Sequence, residues 1–215
     1  MPEIAALGVG FTQAEGRTLR TFTAQLLVVA SLAAALCLEG CAIPARSTAM
    51  AVSASPELAI TAHDNDYRRL AVTSVEGGRR TRALGSSEVG NADLRSALEH
   101  SLRAAGYLAD DSAAASVDVR ASIVRQDRRR WPPLTTTVTT VVRYRSVGRE
   151  TGATLLDTTV EAKGSSDAFL GIKRLRLAEE ASIRANIECF LKVLRTPAST
   201  TEVGRGAARI ERCDG

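Results

Sequence analysis

Histidine is nearly absent from this sequence: the 215 residues hold two, His63 and His100. Nucleophilic catalysis by Ser or Cys needs a base within hydrogen-bond reach, so the scarcity leaves few arrangements open. His63 lies in a stretch rich in Ala, Ser and Pro, and His100 sits two positions from Leu98 and Leu102 on a helix flank; both read as surface residues. The nucleophile-elbow pattern G-x-S-x-G is missing, and the two GSS triplets, at Gly85 and Gly164, read as turns. No phosphate loop is present, since Gly171 is followed by Ile172 before Lys173. His63, Asp64 and Asp66 are near neighbours, but no His, Cys, Asp and Glu cluster has metal-ligand spacing. The expectation is a protein that is not an enzyme and holds no cofactor or metal.

Aromatic residues are also few, at 4%, against 45% hydrophobic residues in all, so Leu, Val, Ile and Ala must build the core. No apolar run reaches the roughly 18 residues that a bilayer-spanning helix needs. Lysine occurs only at 163, 173 and 192, and the other basic residues are Arg. That bias fits either bidentate contact with phosphate or carboxylate polymers or a GC-rich coding sequence, the second being the simpler account.

The stretch at 17–41, RTLRTFTAQLLVVASLAAALCLEGC, stands apart from the rest. Arg17 and Arg20 precede an apolar run from Leu26 to Leu38, which closes on Glu39, Gly40 and Cys41. A basic n-region, a short hydrophobic segment and a small residue at the cut point make an export signal. Leu38, Glu39, Gly40 and Cys41 resemble the lipobox of bacterial lipoprotein precursors. The resemblance implies that the leader is removed before Cys41 and that the Cys41 thiol carries lipid. With Ala42 rather than Asp behind the cysteine, it further implies the outer membrane, on the periplasmic side. Several acyl chains would make the anchor effectively permanent, since each buried CH₂ contributes about 0.8 kcal/mol. The other reading of the leader is a secreted protein cut after Ala35 or Ala42. Residues 41–215 hold 26 basic and 21 acidic side chains, and nucleic acid is not an expected partner in that compartment.

The remaining chain divides by pattern. Residues 41–66 lack a sustained period and read as a flexible tether. A single domain is expected over 67–196, with a loose tail at 197–215. Within the domain, 68–75 reads as a strand, and 76–88 as a solvated loop. A helix is expected over 92–105, with Leu94, Leu98, Leu102 and Ala105 on one stripe, Asn91 or Asp93 as its N-cap and Gly106 just past its end. Residues 116–127 alternate, with Val117, Val119, Ala121 and Ile123 on one side. Pro132 and Pro133 interrupt, the strands 134–147 and 154–163 follow, and a last helix runs over 172–194 until Pro197. Glu179 and Glu180 on that helix read as a solvated face paired with Lys173, Arg176 and Arg184.

The order β-α-β-β-β-α gives an α+β two-layer sandwich: a four-stranded, mostly antiparallel sheet with two helices on one face. If the first two strands are parallel neighbours, the first helix is their crossover. The open face would carry Arg120, Thr137, Thr139, Arg143, Asp157, Thr159 and Lys163. This element order behind a lipobox loosely resembles the small envelope lipoproteins of the YajG and LptE type, which implies an envelope role but no site residues.

Two features remain as candidate sites. With Cys37 in the leader and Cys41 lipidated, Cys189 and Cys213 are left either as a disulfide or as two unpaired thiols. Arg125, Arg128, Arg129, Arg130 and Trp131 gather at the tip of the long hairpin. They form either a grip for lipid headgroups, acidic glycan or a partner's carboxylates, or a solvated turn whose Trp covers the core. The functional expectation is a lipid-anchored envelope protein that binds or assembles, with the membrane and an envelope protein or anionic polymer as partners. An accessory subunit of an export or lipid-transport complex and a divergent periplasmic hydrolase are the alternatives.

Overall fold

Period-two alternation of apolar and polar residues builds a sheet with one greasy face, and two amphipathic helices bury that face. The computed structural model describes residues 44–79, 88–129, 134–196 and 209–213. The chain divides into two units, Met1–Cys41 and Ala42–Gly215, and all described residues belong to the second. In chain order the elements are α1 (Ser47–Met50), β1 (Leu70–Glu76), α2 (Asn91–Ala104), β2 (Val117–Arg129), β3 (Thr136–Gly148), β4 (Thr154–Ser166), α3 (Gly171–Arg195) and β5 (Arg209–Cys213). The sheet is ordered β1-β2-β3-β4-β5. Its outer pairs, β1 with β2 and β4 with β5, are parallel, and the central meander is antiparallel.

The architecture is α+β, but the sheet is mixed and has five strands rather than four. The added strand, RIERC, is short and charged, so no apolar alternation marks it. It pairs Thr158–Ala162 with Arg209–Cys213. Its inner side is joined to α3 by a Cys189–Cys213 disulfide with Cα atoms 6.0 Å apart. Part of the expected tail is therefore ordered.

Core positions follow the alternation. Val119, Val142, Tyr144 and Val160 from the sheet, Leu94, Leu98 and Leu102 from α2, and Ile183, Ile187 and Phe190 from α3 are fully buried in one cluster. The scarce aromatics are used at its centre, where Tyr144 stacks on Phe190 with centroids 4.0 Å apart. Polar groups on the same interface are matched: the Tyr144 hydroxyl donates to Asn186 Oδ1 at 2.9 Å, and Asn186 Nδ2 donates to the carbonyls of Thr140 and Val160 at 3.1 and 2.8 Å. Ser182 Oγ lies 2.6 Å from Thr140 Oγ1 in the same network. Buried polar atoms without partners would cost about 1–3 kcal/mol each, so this network fixes how α3 sits on the sheet.

Gly164 sets the distance of approach. A Cβ there would lie 2.2 Å from the Ser182 nitrogen and 2.5 Å from the Ala178 carbonyl, so the α3 backbone rests directly on the strand. At the end of α2, Gly106 takes φ 86° while the Tyr107 N–H donates to the Leu102 carbonyl at 2.8 Å and the Gly106 N–H to that of Arg103 at 3.1 Å. This is the glycine-terminated cap that the sequence leads one to expect. The start of α2 differs from expectation: no side chain caps it, and the Asn91 Oδ1 instead accepts from the Gly78 N–H at 2.7 Å.

The expected tether is corrected by its packing. Ala45, Met50, Val52, Leu58 and Ile60 are buried in the main core. The Arg46 N–H donates to Glu180 Oε1 at 2.9 Å, and Arg184 Nε donates to the Ala49 carbonyl at 2.8 Å, so α1 lies along α3. The Val52 N–H reaches Ser101 Oγ on α2 at 2.9 Å, and the Ile60 N–H reaches the Ala105 carbonyl at 2.9 Å. The apolar residues of this segment have no period because they contact two helices through irregular backbone, which pattern reading cannot detect.

Candidate functional site

The hairpin arginines begin on a strand whose alternation breaks. The pairing of β2 with β3 shifts register between Ile123 and Arg125, leaving Val124 as an exposed extra residue. A bulge exchanges the faces of everything beyond it. Gln126 and Arg128 consequently face α3, opposite Thr140 and Val138, while Arg125, Asp127 and Arg129 face the open side. The three described arginines are thus not brought to one surface, and Arg130 and Trp131 lie outside the described residues.

Arg128 is committed to the fold. Its guanidinium holds Glu179 Oε1 through Nε at 3.0 Å and Nη2 at 2.8 Å, with Glu88 at 3.6 Å. Glu179 is 0% exposed, and Glu180 is nearly so. This corrects the reading of the two glutamates as a solvated face. Glu180 does meet Arg176, four residues earlier, at 3.5 Å, but it also receives the Arg46 N–H. A buried carboxylate is tolerated only with such partners. Arg125 is bound to Asp127 at 3.0 Å and Glu161 at 3.3 Å. Arg129 is exposed on the open face.

That open face is laced with ion pairs. Arg143 grips Asp157 with two parallel bonds of 2.8 and 2.6 Å, and Arg145 adds a contact of 3.0 Å to the same carboxylate. Hydrogen bonding from Arg143, ahead of that from Arg145, pulls the Asp157 carboxyl below its ordinary range, and Asp157 in turn raises the Arg143 guanidinium. Arg149 pairs with Asp118 at 2.6 Å. Thr137, Thr139 and Thr159 are half-buried on this face, and Val141 beside them is buried. The surface is a shaped, largely self-neutralised sheet face.

A feature absent from the sequence reading lies at the hairpin-tip end. Leu134 is 76% exposed, Phe169 94%, Leu170 60% and Ile172 41%. Thr136 pairs with Ser166, so the residues just before β3 and just after β4 emerge together. Their signal was an apolar pair, Phe169 and Leu170, in a turn outside either periodic pattern.

His63 and His100 are both exposed. Among the described residues, no group of three or more His, Cys, Asp or Glu is placed to hold a metal ion, and no helix is long and apolar enough to cross a membrane. Cys41 lies outside the described residues.

No protein-family model matches this chain, and no curated protein matches its sequence. Solved structures do resemble parts of it. A candidate lipoprotein from Caulobacter crescentus CB15 matches with TM-score 0.38 and 13% identity, covering 49% of this chain and 80% of that one. Protein XCC0632 from Xanthomonas campestris, of the DUF330 family, matches with TM-score 0.47 and 8% identity over 67% of this chain and 87% of its own. The hypothetical protein CT253 from Chlamydia trachomatis gives 0.42 and 13% over 60% and 95%. Likenesses this distant extend to part of the chain trace and to no side-chain chemistry.

Proposed function

We propose that the chain is a lipid-anchored protein of the bacterial envelope, held through Cys41 on the periplasmic side of the outer membrane. Its domain binds a partner and does not turn over a substrate. The observation that carries this reading is the join between leader and fold. The apolar run closes on Leu38, Glu39, Gly40 and Cys41, and among the described residues the packed core includes Ala45, four positions further on. Cleavage before Cys41 falls at the boundary between the two compact units and leaves the thiol at the first residue.

The partner class follows from the open sheet face. Paired charges and threonines on a sheet face suit a protein surface better than a polyanion, because Arg125, Arg143, Arg145 and Arg149 already hold carboxylates. A role as accessory subunit of an export or lipid-transport complex draws on the same face. The hydrolase reading gains no such support, since among the described residues no hydrogen bond joins either exposed histidine to a Ser or Cys.

The test is metabolic labelling with a fatty-acid analogue in wild type and Cys41→Ala, followed by membrane fractionation. Wild type should carry label and sediment with outer membrane, and the variant should lose both. A wild-type protein that stays unlabelled, or whose amino terminus lies upstream of Cys41, overturns the reading.

A further inference from the structure

We propose that the end of the domain displaying Leu134, Phe169, Leu170 and Ile172 rests in the headgroup region of the bilayer that holds the anchor. The proposal builds on the lipid-anchor reading and adds an orientation to it.

The first ground is the direction of the chain. Arg46 meets Glu180 and Ala49 meets Arg184, so α1 runs parallel to α3 and its first residues are the ones nearer the α3 start. Ala45 is four steps along the chain from Cys41, a reach of up to about 14 Å. Glu180 lies nine residues into α3 from Gly171, a rise of about 14 Å. The lipidated sulfur is therefore within reach of the end of the domain that carries Phe169. Gly164 of β4 touches α3 at Ala178 and Ser182, and the β3–β4 turn lies ten residues further back along β4, about 33 Å away and beyond that reach.

The second ground is how the apolar side chains are presented. Arg174 is buried and donates from Nε to the Ala168 carbonyl at 2.8 Å and from Nη2 to that of Phe169 at 3.1 Å. The Ala168 N–H donates to Ser166 Oγ at 3.3 Å. These bonds fix the loop with the Phe169 ring outward. An apolar cluster on a braced loop, flanked by exposed Lys173 and Arg129 with Asp167 as the neighbouring acid, suits an interface where rings enter the acyl boundary and cations meet lipid phosphate. A second copy of the chain would also cover apolar residues, but only a bilayer is tethered within reach of them.

The experiment uses the full-length, lipidated protein in vesicles of phosphatidylethanolamine and phosphatidylglycerol, with an environment-sensitive fluorophore on Phe169→Cys or on Glu150→Cys in the β3–β4 turn. The probe at 169 should shift to the blue and lose emission when the vesicles contain spin-labelled lipid, and the probe at 150 should do neither. Equal, water-like emission from both sites in protein that floats with the vesicles overturns the orientation and leaves the anchor standing. A blue shift that grows with protein concentration and resists lipid quenching identifies a second copy as the occupant, also against the proposal. Loss of flotation with an unmodified Cys41 removes the anchor itself and the orientation with it. As a further check, Phe169→Asp should keep label and melting temperature but abolish quenching of a probe at Leu134→Cys.

Discussion

Two tyrosines show how partner atoms decide the worth of a buried hydroxyl. Tyr107 and Tyr144 are both buried, but the Tyr107 hydroxyl has no hydrogen-bond partner among the described residues, whereas that of Tyr144 donates to Asn186. Burial pushes the Tyr107 phenol up to about 12 and raises that of Tyr144 further. Tyr107→Phe removes an unpaired polar atom and should leave stability unchanged or raise it by up to about 1 kcal/mol. Tyr144→Phe strips the donor from Asn186 and should cost about 1–2 kcal/mol, both being read by urea unfolding. Asp157 gives a pH signature with a definite sign. Its carboxyl titrates lower folded than unfolded, so its contribution is full above the unfolded value of about 4 and fades as pH falls through the folded value. The melting-temperature gap between wild type and Asp157→Asn should therefore be widest near neutral pH and close in strong acid. None of these partnerships could be read from sequence, because each joins residues at least 12 positions apart.

At the scale of elements, close approach and cross-linking matter more than propensity. Gly164 looks like a turn residue in sequence, yet it lies within β4 with the α3 backbone against it. Gly164→Ala must push α3 off the strand and strain the Asn186 network, an overpacking cost of about 3 kcal/mol. Thermal unfolding of the purified protein would show it as a large drop in melting temperature. A milder loss equal to an ordinary surface substitution would mean that the helix can slide. Further along the same helix, the disulfide closes a separation of 24 residues, for which chain entropy gives about 3 kcal/mol. Cys213→Ser should free β5 and raise hydrogen exchange along the exposed edge of β4 while the β2–β3 amides stay protected. The helices and the three-stranded meander were legible because their apolar periods are long and unmixed. The β2 bulge was not, since RQDRRR carries no apolar residue to reveal which face it takes, and the arginine cluster dissolved with it.

The whole molecule is closed by the segment that its composition marks as a tether. Residues 44–60 are poor in period and rich in Ala and Ser, but Met50 and Val52 enter the core between α2 and α3, and Leu58 and Ile60 also join it. The backbone amides of Val52 and Ile60 are held by Ser101 Oγ and the Ala105 carbonyl, so both should exchange only with global unfolding, at rates matching those of β3. A free tether would exchange within seconds, which native-state hydrogen exchange separates readily. Met50→Ala should cost about 2–5 kcal/mol, since the cavity would open between two helices that the segment joins. Ser101→Ala should cost about 1–3 kcal/mol by orphaning the Val52 N–H, and it should raise exchange at Val52 more than at Ile60. If that substitution instead left Val52 protected, the segment would be held by its apolar side chains alone. Ala45, packed in the core, stands four positions from Cys41, so the same contacts that complete the core limit how far an anchor there would let the domain stand from a membrane.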